Sequence, residues 1–260
     1  MIVCRTAAEI EQLRVANRIV ATVLAQLRAA VAPGVSTADL DALAEAEVRK
    51  AGAVPAFKGY RGYPATLCVS INEEVVHGIP SARKLREGDI VSIDMGATIG
   101  GYFGDSAVTV PVGRVTPDVA ALLAATEESL YRAIAAVRPG ARVSDIGHAV
   151  QSYVEPRGYS VVREFVGHGI GTALHEEPQI PNYGAPGRGP RLSDGMVLAI
   201  EPMVAMGKAG VKVLSDGWTA VTRDGSWAAH FEHTVVVTPA GPLVLTALDA
   251  SDEARRVAAR

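Results

Sequence analysis

The sequence is poor in the residues that mark several functional classes. Two cysteines, Cys4 and Cys68, in 260 residues give no disulfide framework and suit a reducing cytoplasm. Lysine and arginine number 25 against 28 aspartates and glutamates, a net charge of −3, so there is no basic footprint for nucleic acid. No apolar run is long enough to span a bilayer, and the N-terminus has no apolar signal core, so no membrane role is expected. No linker rich in Gly, Ser or Pro divides the chain; the cluster from Pro178 to Pro190 reads as a loop. What remains, 48% apolar and 20% charged, describes a soluble globular chain with a substantial core.

Within that ordinary composition the chain repeats itself. Val31-Ala-Pro-Gly-Val-Ser36 has an echo in Val137-Arg-Pro-Gly-Ala-Arg-Val-Ser144, and each lies between two helical patterns. Leu85-x-x-Gly88-x-x-x-x-Ile93-Asp94 matches Leu192-x-x-Gly195-x-x-x-x-Ile200-Glu201. The helices read clearly. Thr6 and Glu9 form a capping box before the apolar face Ile10, Leu13, Val20, Leu24 and Leu27. Ser36 caps a second helix ending at Gly52, and the pattern recurs over 117–137 and 144–154. The expectation is one catalytic domain over 1–260, built from halves of about 1–113 and 114–250. One carboxylate from each half, Asp94 and Glu201, would converge at a pseudo-two-fold axis.

The acids carry the chemistry. Ile90, Val91 and Ile93 predict a buried strand, and Val108 and Val110 a returning one. A turn centred between Ile99 and Gly100 sets Asp94 directly opposite Asp105, with Cβ atoms about 4.5–5.5 Å apart. Two such carboxylates repel and lose hydration, and a bound cation removes both problems. Val197–Glu201 predicts another apolar strand ending on an acid, and Phe231–Val237 a third with Glu232 inside it. A single acid in such a run ordinarily marks an exposed face; four of them, two in repeat-equivalent positions, do not fit that account. His168, in Val166-Gly-His-Gly-Ile-Gly171, adds an imidazole. Four carboxylates and one imidazole hold too much oxygen for a structural zinc site and suit Mn²⁺, Fe²⁺ or Co²⁺, with Zn²⁺ also admissible. Two such ions would activate a water between them and polarise a carbonyl, so the reaction class is metal-assisted hydrolysis.

These residues resemble the methionine aminopeptidases of the pita-bread metallopeptidases, over nearly the whole chain. The motifs are Asn72-Glu-Glu-Val-Val-His-Gly-Ile-Pro80, Gly167-His-Gly-Ile-Gly171, His175-Glu-Glu-Pro178, Ile200-Glu-Pro-Met203 and Phe231-Glu-His-Thr234. The resemblance is to the short bacterial type I form. It implies an α/β (α+β) fold with a central curved antiparallel sheet flanked by helices. It also implies a cytoplasmic enzyme that removes the initiator methionine from new polypeptides with a small second residue, a step of protein maturation. Two divalent ions per chain (Co, Mn, Fe, Zn or Ni) would be held by Asp94, Asp105, His168, Glu201 and Glu232. Asp105 and Glu232 would bridge the ions, Asp94 would bind one, and His168 with Glu201 the other. Glu201 would also act as general base, His175 would stabilise the tetrahedral intermediate, and His77 would contact substrate near the scissile amide. Tyr60, Tyr63, Cys68 and Trp218 would form the methionine pocket. Phe57 and Leu174 differ from common pocket residues, and His230 departs from the commoner pattern with no role that the sequence assigns. His148 and His233 read as structural.

Partners expected are polypeptide N-termini, not DNA or membrane, with a monomer as the default; docking on the ribosome is left open by the sequence. Three alternatives compete. An Xaa-Pro peptidase of the same fold usually carries an additional N-terminal domain, for which a first helix near Thr6 leaves no room. A non-catalytic binding protein of this fold loses ligands, whereas all five are here. A single structural cation is separable by counting metal.

Overall fold

A computed structural model describes residues 1–249 and Val257. The expected limit of the second half at 250, and the rest of the tail to 260, lie outside the described residues. The first half runs α1 (Ala7–Ala30), α2 (Thr37–Lys50), β1 (Val54–Pro55), β2 (Leu67–Ile71), β3 (Glu74–Val76), β4 (Ile90–Ile99) and β5 (Tyr102–Pro111). The second runs α3 (Pro117–Ala135), α4 (Val143–Val154), β6 (Ser160–Val161), β7 (Gly167–Gly169) and β8 (Glu176–Ile180). It continues with β9 (Val197–Ile200), β10 (Met203–Ala205), β11 (Val211–Val213), β12 (Ala220–Thr222), β13 (Ala228–His230), β14 (His233–Thr238) and β15 (Gly241–Val244).

Local chemistry explains the helices. The Thr6 side chain accepts from Glu9 N–H, and Thr6 N–H donates to Glu9 Oε2 at 2.9 Å, the reciprocal box expected. Ser36 and Asp39 repeat it on α2. The helix expected to begin at Ser144 instead begins at Val143, with Arg142 at its N-cap. The Arg142 N–H donates to Asp145 Oδ2 at 2.7 Å, so the acid one turn in caps the helix although the cap residue has no suitable side chain. The preceding helix stops at Ala135, short of Val137.

The echoes in the sequence are the same backbone joint made twice. Gly34 N–H donates to the Leu85 carbonyl and Leu85 N–H to that of Val35; Gly140 does so to Leu192, and Leu192 to Ala141. Gly88 donates to Val112, and Gly195 to Val237, each at 2.9 Å. All four glycines have positive φ, between 83° and 92°, a region other residues enter at a cost. Each half packs its helix pair on its own apolar cluster: Val20, Leu27, Leu40 and Val48 with Ile93 in one, Leu122, Ile134, Ile146 and Val150 with Ile200 in the other.

All the strand pairings are antiparallel. β4 is the hub of the first half, flanked by β2 and β5. Its turn corrects an expectation. Ile99 pairs with Tyr102, so the turn residues are Gly100 and Gly101, at φ 61° and 81°. Two adjacent glycines at positive φ form the turn whose twist matches a hairpin, and Ile99 cannot take the first place in it. Asp105 therefore faces Gly96, and Asp94 faces Ala107. The two aspartates are diagonal rather than directly opposite, still on one face because Asp94 and Gly96 are two residues apart.

The second half breaks its ladder where the first is continuous. β9 ends at Ile200 and β10 starts at Met203; β13 ends at His230 and β14 starts at His233. The strands expected over 197–201 and 231–237 are thus each interrupted, and Glu201 and Glu232 sit in the interruptions rather than within strands. The pairs Ile200–His233 and Met203–His230 keep one register across the gap, which leaves Glu201 opposite Glu232. Both carboxylates are freed from the ladder at the place where the strands change sheets. No helix among the described residues is long and apolar enough to cross a membrane.

Candidate metal centre and substrate cavity

Hydrogen bonds between neutral groups tie the acid-bearing backbones together. Glu232 N–H donates to the Ala107 carbonyl at 2.9 Å, and Ser106 Oγ to the Glu232 carbonyl at 2.6 Å. Thr234 Oγ1 donates to the Asp105 carbonyl at 2.8 Å. From the other side, Asp105 N–H donates to Asn17 Oδ1 on α1. Helix α1 approaches closely there because residue 104 is glycine: a Cβ would lie 2.7–2.9 Å from the backbone of Ala16 and Asn17. Asn182, fully buried, donates to the Glu201 carbonyl at 3.0 Å.

Asp105, His168 and Glu232 bring ligand atoms within 4.8 Å of one another, all buried. Glu201 joins them, with Oε1 3.6 Å from His168 Nε2. Asp94 lines the same cavity, and its charge is felt by Asp105, Glu201 and Glu232. His168 is presented for ligation: its Nδ1–H donates to the Gly169 carbonyl at 2.9 Å, leaving the Nε2 lone pair toward the acids. Burial, followed by the neighbouring His175, pushes His168 down to about 3, so the ring is neutral.

The acids show what is missing from a protein-only account of the site. Burial pushes Asp94 up to about 7. It raises Asp105, Glu201 and Glu232 well above the carboxylate range, and their mutual charges push the same way. One oxygen each of Asp94, Asp105 and Glu232 is buried with no hydrogen-bonding partner among the described residues. Four acids whose carboxylates are enclosed together, none of them in an ion pair with Lys or Arg among the described residues, are expensive to ionise. Divalent cations would supply the compensating charge, and the oxygen-rich donor set with one imidazole fits them.

The cavity above these groups has a volume of about 170 Å³. Its walls include every residue the sequence assigned to the site, together with Phe57, Leu174 and Arg61, the last not anticipated. Tyr63 packs edge-on to Trp218 at 5.0 Å, and its hydroxyl lies 2.9 Å from the Leu67 and Gly78 carbonyls, so its ring rather than its oxygen faces the cavity. Cys68 pairs with Asp94 across the ladder; burial and then that charge keep its thiol protonated. Phe57 fits because Gly96 has no side chain to meet it. His77 sits edge-on to Phe165 at 5.1 Å, with burial holding it down to about 4. His175 stacks on Tyr60 and stands 4.3 Å from His168, ring to ring. Its Nδ1 lies 2.9 Å from the Tyr60 hydroxyl. A wider groove of about 760 Å³ runs along α1 past Leu245 and Leu248 and touches none of these residues.

Comparison with known proteins now decides the family. The profile of metallopeptidase family M24 matches residues 11–239. The chain belongs to that family. It is 55% identical to methionine aminopeptidase 1 of Bacillus subtilis, over 95% of this chain and 99% of that one. It is 53% identical to the methionine aminopeptidase of Clostridium acetobutylicum over the same shares. The crystal structure of methionine aminopeptidase from Thermotoga maritima superposes with a TM-score of 0.93 at 49% identity, covering 95% of this chain and 99% of that one. A prolidase from Pyrococcus furiosus shares the fold, with a TM-score of 0.77 at 24% identity, and this chain covers 66% of it.

One contact that holds the site escaped the sequence reading. Arg5 Nη2 meets both oxygens of Glu176, at 2.6 and 2.7 Å, while Glu176 accepts from the N–H groups of Thr172 and Ala173. That clamp fixes the loop between His168 and His175. His148 and His233 lie outside the cavity: His233 Nδ1 meets Thr246 Oγ1 at 2.8 Å, and the exposed His148 lies near the Gly184 carbonyl.

Proposed function

We propose that this chain is a dinuclear-metal aminopeptidase that removes N-terminal methionine from polypeptides with a small second residue. One observation carries the reading: four acids and a neutral imidazole share a single small cavity whose remaining walls are aromatic rings, two further imidazoles, a leucine, a thiol and Arg61. Asp94, Asp105, His168, Glu201 and Glu232 would hold the ions. Such ions supply Lewis acidity toward the scissile carbonyl and make water a nucleophile at neutral pH.

The protein's own groups do the rest. Glu201 takes the proton of the attacking water as general base. His175 Nδ1 lies 2.9 Å from the Tyr60 hydroxyl; with that hydroxyl as donor, the His175 proton sits on Nε2, available to a developing oxyanion. His77, neutral and aimed into the cavity, contacts the scissile amide. Tyr60, Tyr63, Cys68 and Trp218 surround the methionine side chain, a soft apolar group suited to aromatic faces and sulfur. The close spacing of His168 and His175 leaves little room beside the scissile bond, which excludes bulky second residues.

Hydrolysis of Met-Ala-Ser is measured against Met-Leu-Ser and Ala-Pro-Ser, with chelator-treated and Mn²⁺-restored protein. Cleavage of Met-Ala-Ser alone, and only with metal, is the expected result. Preferential cleavage of Ala-Pro-Ser, or activity indifferent to chelation, overturns the reading.

A further inference from the structure

His230 ends β13, two residues before Glu232, and is 1% exposed. One hydroxyl pins its backbone on both sides: His230 N–H donates to Thr109 Oγ1 at 2.8 Å, and Thr109 Oγ1 donates to the His230 carbonyl at 2.7 Å. The ring is therefore held where it is. Neither of its nitrogens has a hydrogen-bonding partner among the described residues. Its Nε2 lies 3.8 Å from Glu201 Oε2. The other Glu201 oxygen, Oε1, lies 3.6 Å from His168 Nε2. The carboxylate is thus flanked by two imidazoles, one at each oxygen, and only His168 has a role so far.

A buried ring without a partner is costly. At 3.8 Å the pair is too far apart for a hydrogen bond, yet the approach that makes one is less than about 1 Å. We propose that His230 is a positioning residue for the metal centre: its Nε2–H donates to Glu201 Oε2 and fixes which oxygen Glu201 turns toward His168. The ring stays neutral and transfers no proton. Partners of this kind orient ligands in metal sites and raise their affinity. The inference rests on the dinuclear reading above.

The test compares the full-length parent with His230→Leu and His230→Gln. Mn²⁺ affinity is measured by calorimetric titration of chelator-stripped protein, and kcat and KM on Met-Ala-Ser at saturating Mn²⁺. In the Leu variant one Mn²⁺ should bind about 10–100-fold more weakly. Its kcat should fall with KM little changed. The unfolding temperature of the stripped protein should not fall, because an apolar side chain replaces an unpartnered ring. Gln keeps an N–H donor and should recover most of the affinity. Parental affinity and kcat in the Leu variant overturn the proposal, as does equal loss in Leu and Gln. If the Leu variant does not fold, His230→Met is measured in its stead with the same expectations. A parent that binds no Mn²⁺ overturns the dinuclear reading instead.

Discussion

Replacing Asp94 by asparagine should stabilise the stripped protein and weaken the metal-loaded one, with the first effect confined to high pH. In the folded chain, burial moves the Asp94 carboxyl from 3.8 to about 7. The folded state then holds a proton that the unfolded state releases, so stability is lost as pH rises. The loss vanishes below about pH 3 and is complete above about pH 8. The full move corresponds to about 4 kcal/mol, of which between about 2 and 3 kcal/mol falls between pH 5 and pH 8. Asp94 is partly accessible as a residue although Oδ1 is buried, so these figures are upper bounds. The absolute curve of the parent is not the observable. His77, His168 and His230 are pushed down to about 4, 3 and 3, and they raise stability as pH climbs through 6.5. Asparagine does not titrate, so the difference between parent and Asp94→Asn cancels the histidines. Urea unfolding in chelator at pH 5 and pH 8 gives that difference directly. Relative to the parent, the variant should gain about 2 kcal/mol on going from pH 5 to pH 8. Adding Mn²⁺ at pH 8 should reverse the order, because the ion needs the ionised carboxylate. A difference that is flat with pH, together with equal stabilisation of both proteins by Mn²⁺, would refute the account of this acid.

Three further outcomes follow from particular contacts. Asp105→Ala should lower metal content and reduce peptidase activity to background; full activity at unchanged stoichiometry, by elemental analysis, removes its role. His175→Ala should retain its metal while kcat falls by about 10²–10³-fold, and an unchanged kcat removes the oxyanion role. Gly104→Ala should destabilise the fold by about 1–3 kcal/mol in urea, because its Cβ would press on the α1 backbone within 3 Å; a smaller effect would mean that the helix can move away freely.

The helices were legible because their caps are local chemistry: Thr6 with Glu9 and Ser36 with Asp39 act within one turn. The repeated joint was legible because Gly34, Gly88, Gly140 and Gly195 each need a backbone region that few residues enter. The hairpin register was misread by one position at the turn, although Gly100-Gly101 is the better turn pair on chemistry alone. The interruptions at Glu201 and Glu232 left no mark in the apolar pattern, because Pro202 and Phe231 look like a strand's end and a strand's beginning. Arg5 and Asn17 were invisible for another reason. Their partners, Glu176 and Asp105, lie far along the chain, and an arginine just before a helix or an asparagine within one reads as solvated surface. His230 could be noticed as unusual, but its neighbour Glu201 is reached only through the folding of the second half.

The contrast between the halves explains how four acids can share so small a space. Asp94 and Asp105 have short side chains on two continuous strands, where the ladder fixes each Cα and little reach is needed. Glu201 and Glu232 stand in paired breaks, where no ladder fixes the backbone and one more methylene gives reach. The holding at the breaks comes from Ser106, Thr109, Thr234 and the Glu232 N–H, which bond carbonyls and amides rather than carboxylates. An ion pair placed there would have satisfied the acids and removed their need for a cation. Neutral hydrogen bonds hold the backbone and leave the carboxylate oxygens uncommitted, so the strain of assembling four acids is relieved by binding metal rather than by folding.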